Sequence, residues 1–221
     1  SGATANATNI VSFTAGGGSS NSSGTVNLTT QTGGGTINMN AASGDYNING
    51  QGGVDALTGG GGADIINGGA NADAISGGNG DDVLSGGADN DEMTGGAGAD
   101  TFKVDSGTDT VKDLGGSSGG ETDVLIVSSG ATANATDITS FTASSSTKNE
   151  GAANLTTKVA GGTIDIGNST TGAYSLTGLS GNDTLKGNGN ADTIIGGNGD
   201  DTIDGRGGND IINAGGGDDI I

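Results

Sequence analysis

From Gly50 the chain divides into nines that open on Gly, except at Ala214, and carry Asp at the sixth place and a large apolar residue at the eighth. Six copies run to Lys103: GQGGVDALT, GGGGADIIN, GGANADAIS, GGNGDDVLS, GGADNDEMT and GGAGADTFK. A second series starts at Gly178: GLSGNDTLK, GNGNADTII, GGNGDDTID, GRGGNDIIN and AGGGDDII. Position six is Asp in all 11 copies: Asp55, Asp64, Asp73, Asp82, Asp91, Asp100, Asp183, Asp192, Asp201, Asp210 and Asp219. Position eight is Leu57, Ile66, Ile75, Leu84, Met93, Phe102, Leu185, Ile194, Ile203, Ile212 and Ile221. Position four is only Gly, Asn or Asp, the residues that enter the left-handed region at least cost, which points to a backbone constraint there.

Each nine reads as a Gly-rich turn of six followed by a strand of three. One side chain, at position eight, faces inward, and its neighbours at seven and nine face out. Two nines make one turn of a flattened solenoid, and successive turns stack about 4.8 Å apart. The core is then a thin layer of Leu, Ile, Met and Phe. This matters because composition alone suggests disorder: 50 Gly in 221 residues, 30% hydrophobic and a net charge of −20. The order of the residues, not their proportions, argues for a fold. No 3.6-residue pattern is present, so the expected class is all-β, a β-solenoid.

Strands on one face lie 18 residues apart, so Asp55, Asp73 and Asp91 stack on one side and Asp64, Asp82 and Asp100 on the other. Stacked carboxylates repel, and a thin core does not overcome that. A hard cation resolves it. Calcium takes six to eight oxygens at about 2.3–2.6 Å, from carboxylates and from the carbonyls that a Gly-rich turn leaves open. Magnesium fits less well, and transition metals want His or Cys, of which there is none. Pairing position-six residues 18 apart gives about seven calcium sites by this ligand rule. The neighbouring Asp81, Asp89, Glu92, Asp200 and Asp218 are expected to be solvated.

The pattern resembles the RTX (repeats-in-toxin) calcium-binding nonapeptide family, GGxGxDxUx; GGNGDDVLS, GGAGADTFK and GGNGDDTID match it in full. The resemblance implies a parallel β-roll with calcium between turns, held by position-six Asp and turn carbonyls. It also implies type I export from a Gram-negative bacterium, unfolded inside and folded by external calcium. It covers residues 50–103 and 178–221.

A longer period encloses the short one. SGATANATNI at Ser1–Ile10 returns as SGATANATDI at Ser129–Ile138, and both roll blocks are 128 residues apart. The expected organisation is 1–49, a β-rich linker and starter turns; 50–103, the first roll; 104–128, closing strands that resemble those of the family, with Asp105, Asp109 and Asp113 as oxygen donors for its last turn; 129–177, the second linker and starter turns; and 178–221, the second roll, cut short. The Ser/Thr/Asn/Gly-rich segments link and cap the rolls, and Gly16–Gly24 and Ser144–Gly151 are expected as flexible loops. The chain opens without Met and ends inside a nonapeptide, as an excerpt from a tandem array would.

With no Cys or His there is no disulfide, thiol or imidazole nucleophile, and no catalytic constellation stands out. The charge argues against nucleic acid, and no apolar run approaches the roughly 20 residues that span a bilayer. The expected function is a calcium-binding extracellular structural or adhesive repeat protein, of a surface layer, filament, sheath or matrix. It is not an enzyme, and its expected partners are copies of itself and surface polysaccharide. The alternative is the calcium-dependent secretion module of a larger exported toxin or hydrolase.

Overall fold

The computed structural model describes residues 3–21, 24–116 and 122–221. Parts of the expected linker and closing segments, residues 1–2, 22–23 and 117–121, lie outside the described residues. The chain forms two compact units, Ser1–Thr110 and Val111–Ile221, and the boundary falls inside a strand.

In the first unit the strands are β1 (Ala3–Ile10), β2 (Ser12–Thr14), β3 (Gly24–Thr30), β4 (Thr36–Asn38), β5 (Tyr46–Asn49) and β6 (Ala56–Thr58). They continue as β7 (Ile65–Ala70), β8 (Ala74–Asn79), β9 (Val83–Ala88), β10 (Glu92–Ala97), β11 (Thr101–Val104) and β12 (Thr108–Lys112). Odd-numbered strands pair in one parallel sheet and even-numbered strands in another, so the chain alternates between two faces of a solenoid. Register follows the period: Ile66 sits beside Leu84 and Ile75 beside Met93.

The second unit contains β13 (Val124–Val127), β14 (Thr132–Ile138), β15 (Ser140–Thr142), β16 (Lys148–Asn149), β17 (Ala152–Thr157) and β18 (Thr163–Asp165). These are followed by β19 (Tyr174–Thr177), β20 (Thr184–Lys186), β21 (Thr193–Asn198), β22 (Thr202–Asp204) and β23 (Ile211–Gly216). β14, β17, β19, β21 and β23 form one parallel sheet and β15, β18, β20 and β22 another. No helix occurs among the described residues.

Position eight supplies the core, as the pattern predicts: Leu57, Ile66, Ile75, Leu84, Met93, Phe102, Leu185, Ile194 and Ile203 are buried. Ile212 is half-buried and Ile221 exposed, in the last described turn. Strands are longer than three residues in the most regular copies. In β7 to β10, β21 and β23 they run through positions seven, eight and nine into the first three of the next nine. The Gly residues there keep strand pairing, so the turn proper shrinks to positions four to six. Position four has positive φ in every copy but that of Asn190.

The starter turns are wider. Leu28 pairs with Ile48 and Leu155 with Leu176, offsets of 20 and 21 residues against 18 in the rolls. Their outer face is laced by amides: Asn27 Nδ2 donates to Asn6 Oδ1 (2.6 Å), Asn47 Nδ2 to Asn27 Oδ1 (3.0 Å) and Asn154 Nδ2 to Asn134 Oδ1 (2.8 Å). Ser144–Gly151 is not the loose loop expected. It contains β16 and buries Thr147 and Asn149, and the Asn149 amide donates to the Ala173 carbonyl at 2.6 Å. In Gly16–Gly24 the described part includes Ser20, bridged in parallel to Ser43.

Candidate metal centres between the turns

Every position-six Asp follows the tight turn and opens the next strand, and its carboxylate folds back under the turn. Asp55, Asp64, Asp73, Asp82, Asp91, Asp100, Asp183, Asp192 and Asp201 are at most 4% exposed. Asp210 and Asp219, in the last two copies, are half-buried. The expected solvation of Asp81, Asp89, Glu92 and Asp200 holds, since all are exposed. Asp81 and Asp200 use Oδ1 to accept the N–H of Ala99 and Asp218, at 2.8 and 2.9 Å.

The two oxygens of each buried carboxylate have different fates. Oδ1 accepts a backbone N–H from the turn before. Asp55 N–H donates to Asp73 (2.8 Å), Asp64 to Asp82 (2.7 Å), Asp73 to Asp91 (2.8 Å) and Asp82 to Asp100 (2.9 Å). In the second unit Asp183 donates to Asp201 (2.8 Å), Asp192 to Asp210 (2.9 Å) and Asp201 to Asp219 (3.0 Å). The predicted 18-residue ladders are therefore physically present. Oδ2 of Asp55, Asp73, Asp82, Asp91, Asp183 and Asp201, by contrast, is buried without a hydrogen-bond partner. A buried, unpartnered carboxylate oxygen is costly unless a cation faces it.

Asp64 and Asp192 depart from this in the same way. Their Oδ2 atoms accept the N–H groups of Gly60 (2.8 Å) and Asn188 (2.9 Å), the position-two residues of their own copies. Elsewhere position two mostly has positive φ, as at Gly69, Gly78 and Gly197, but Gly60, Leu179 and Asn188 do not. Of these three, Gly60 and Asn188 supply a donor to the carboxylate of their own copy, and Asp183 Oδ2, in the copy of Leu179, has none.

Position-one Gly explains itself against this oxygen. A methyl placed on Gly77 would collide with Asp82 Oδ2 and lie 2.6 Å from the Gly95 carbonyl oxygen. On Gly187 it would lie 2.6 Å from both Asp192 Oδ2 and the Gly205 carbonyl oxygen. A carboxylate oxygen and the carbonyl of the next turn thus flank one small space, which Gly at these places leaves open. No three acidic side chains gather at one point among the described residues, so any ion here takes much of its shell from the backbone. That donor set, all hard oxygen with a minority of carboxylate, suits calcium.

The electrostatics agree. Burial, the largest cause, raises the carboxyl of Asp82 to about 7 and that of Asp73 to about 6, against partial relief from the backbone N–H each accepts. Like-charged neighbours 18 residues away, Asp64 and Asp100 for the first and Asp91 and Asp55 for the second, raise them further. Asp55, Asp64, Asp91, Asp192 and Asp201 are raised as well, by burial first.

One member of the column lies outside the copies counted from the sequence. Val104–Lys112 keeps the register, with Gly107 at position four in positive φ and Asp109 at position six. Asp109 is fully buried, accepts the Asp91 N–H at 3.0 Å, has an unpartnered Oδ2, and is raised by burial to about 7. The sequence marked it as an oxygen donor but not as a copy, because Val104-Asp105 stands where the Gly pair is expected. The surviving signal was Gly107-x-Asp109-x-Val111.

The starter turns exchange the two roles. Position one is Thr30 or Thr157 and position six is Gly35 or Gly162; a methyl on either Gly would lie 3.2 or 3.1 Å from the Thr Cβ. The buried Thr30 hydroxyl donates to the Gly50 carbonyl, on the side of the turn where later copies set a carboxylate. Gly35 and Gly162 give their N–H to Asp55 Oδ1 (2.6 Å) and Asp183 Oδ1 (2.7 Å).

The family of the RTX calcium-binding nonapeptide repeat matches in four stretches, residues 49–84, 76–111, 170–203 and 186–221, which together cover just over half of the chain. The second stretch takes in Asp109. No curated protein and no solved structure matches the chain. Repeat, roll and match agree: the chain belongs to the RTX calcium-binding nonapeptide repeat family.

Proposed function

We propose that this is an extracellular structural or adhesive repeat protein, of a surface layer, filament, sheath or matrix, whose rolls become rigid when external calcium enters the gaps between turns. The single observation that carries the reading is the row of buried Oδ2 atoms without partners, repeated at the period of the turns. The ligands are the 11 position-six Asp residues of the sequence pattern, joined by Asp109, with position-one carbonyls of the following turn. Eight gaps have an Asp on both sides: 55/73, 64/82, 73/91, 82/100, 91/109, 183/201, 192/210 and 201/219. In six of them the leading Oδ2 is unpartnered, and those six are the strong sites; 64/82 and 192/210 are the weak ones, since backbone N–H already satisfies Asp64 and Asp192.

Calcium, when bound, would supply the positive charge that the buried carboxylate oxygens and turn carbonyls coordinate. The chain supplies preformed acceptors, glycines that leave the gap open, and a register in which each turn presents the same oxygens to the next. Because the ladders are unfavourable without a counter-ion, binding free energy becomes folding free energy. External calcium is abundant and cytosolic calcium scarce, which supports folding after type I export. No helix of the described residues is long and apolar enough to cross a membrane. The reading assigns no catalysis, no nucleic-acid partner and no membrane insertion; the partners are further copies of the chain and surface polysaccharide.

The test is circular dichroism with millimolar calcium and with chelator, beside calorimetric calcium titration. Calcium is expected to convert coil to sheet. Asp82→Ala is expected to lower the number of ions bound and raise the calcium needed to fold, and Asp81→Ala to do neither. A sheet spectrum indifferent to chelator, or equal effects of the two substitutions, would overturn the assignment.

A further inference from the structure

The chain has a single Arg, and it stands where the repeat pattern calls for Gly. Arg206 is position two of its copy and holds a φ of 62° there. Its side chain runs back over the two preceding coils of the second roll. Nη1 lies 2.9 Å from Asp165 Oδ1 and Nη2 donates to Asp165 Oδ2 at 3.2 Å, a two-pronged ion pair between residues 41 apart in sequence. On the way Nη1 also donates to the Gly187 carbonyl at 3.0 Å. Gly167 leaves room for the guanidinium, since a methyl there would fall on it. Asp165 is steadied by the Gly167 N–H, which donates to Oδ1 at 3.0 Å. Lys186 sits in register between Asp165 and Asp204 on β18, β20 and β22, and its Nζ lies 3.8 Å from Asp165 Oδ2.

Gly187 is a position-one residue, and its carbonyl is of the kind that faces an Asp-lined gap in the regular turns. The coil before it is a starter turn. Position six of that coil is Tyr174 rather than Asp, and the buried Ile166 stands at position one, so the gap there lacks its leading carboxylate. Arg206 brings to this carbonyl a positive charge that belongs to the chain itself. A planar guanidinium suits the task, because it binds a carboxylate through two parallel hydrogen bonds and keeps a donor for a third oxygen. The first unit has no such charges at the same places. Asn38, Thr58 and Ser76 form the column that corresponds to Asp165, Lys186 and Asp204, and Gly78 corresponds to Arg206.

We propose that Arg206 is a resident cation of the second roll. Its guanidinium, held by Asp165 and the Gly187 carbonyl, clasps the three coils of β18, β20 and β22 and lowers the calcium they require in order to fold. The side chains of Arg206 and Asp165 are 34% and 23% exposed, so the clasp changes the folding equilibrium by about a few-fold rather than by orders of magnitude. The inference rests on the calcium reading above and adds a contact that sets the calcium level at which one part of the chain responds.

Amide hydrogen exchange of the full chain across a calcium titration reads β18, β20 and β22, with β4, β6 and β8 as the internal control. Asp165→Asn installs the amide that the first unit carries at Asn38. Arg206→Gln installs a residue that the chain already seats at position two, with a φ of 63°, at Gln51. Each is expected to raise the calcium midpoint of the clasped strands by about twofold, a few-fold effect shared among the ions of one roll, and to leave the control strands unmoved. The double variant is expected to shift no further than either single one, because the two residues act through one contact. Gly167→Ala keeps both charges and displaces the guanidinium, and is expected to shift the midpoint in the same direction. Calorimetry is expected to count the same number of ions in every variant. Unmoved midpoints, single shifts that add in the double variant, or an ion lost in Asp165→Asn would overturn the clasp. Wild-type protection that ignores calcium defeats the calcium reading and the clasp together, whereas calcium-dependent protection that the variants leave unmoved defeats the clasp alone.

Discussion

At the scale of single residues the fold turns on a carboxylate with one satisfied and one unsatisfied oxygen. Burial holds Asp73 near 6 and Asp82 and Asp109 near 7, above the unfolded value of about 3.9. A raised carboxyl means the folded chain binds protons more tightly than the unfolded one. Without calcium its contribution is therefore most favourable below about pH 4 and is lost as pH climbs to about 7. In chelator, acidification from about pH 8 to about pH 5 is expected to restore sheet signal, read by circular dichroism; an unchanged spectrum would contradict the burial of these groups. The glycine facing the carboxylate is just as constrained. Gly77→Ala forces a methyl onto Asp82 Oδ2 and the Gly95 carbonyl. It is expected to destabilise the roll by about 1–3 kcal/mol, the usual range for overpacking, and to raise the calcium midpoint. The Asp column was legible in the sequence because chemistry repeats with period nine; the split between Oδ1 and Oδ2 was not, since it depends on which peptide N–H the neighbouring turn presents.

At the scale of elements, a strand and a turn make one brick, and the bricks differ where the roll begins. Thr30 and Thr157 put a hydroxyl where later copies leave room for a carboxylate, and the Gly at position six gives up its side chain in exchange. Thr30→Val keeps the volume and removes the hydroxyl, so the Gly50 carbonyl loses its donor. The calcium midpoint of folding is expected to rise while the number of ions bound stays the same, and Thr30→Ser is expected to restore the midpoint. A calorimetric titration that loses an ion in Thr30→Val would make the hydroxyl a ligand instead. These starter turns were visible in the sequence only as alternating segments. Two or three extra residues per turn break the 18-residue offset there, and the Thr–Gly exchange removes the Asp that marks a copy. For the same kind of reason Val104–Lys112 passed as a closing strand: the glycine pair that announces a nonapeptide is missing, although the backbone still takes its course.

At the scale of the whole molecule, contacts run almost entirely between successive turns, so damage is expected to stay near its source. In Asp82→Ala with calcium, amide hydrogen exchange is expected to quicken in β8 to β11 and to be unchanged in β19 to β21. Uniform loss of protection over both units would mean that they fold as one cooperative body. The 128-residue period was legible from SGATANAT alone, and the two compact units are Ser1–Thr110 and Val111–Ile221. Their boundary at Thr110 and Val111 was not legible, because it cuts β12, a strand whose sequence continues the roll. The amide rungs Asn6–Asn27–Asn47 and Asn134–Asn154 have a further outcome. They tie successive opening coils without any ion, so in a calcium titration read by amide hydrogen exchange these coils are expected to need less calcium for protection than the acidic middle.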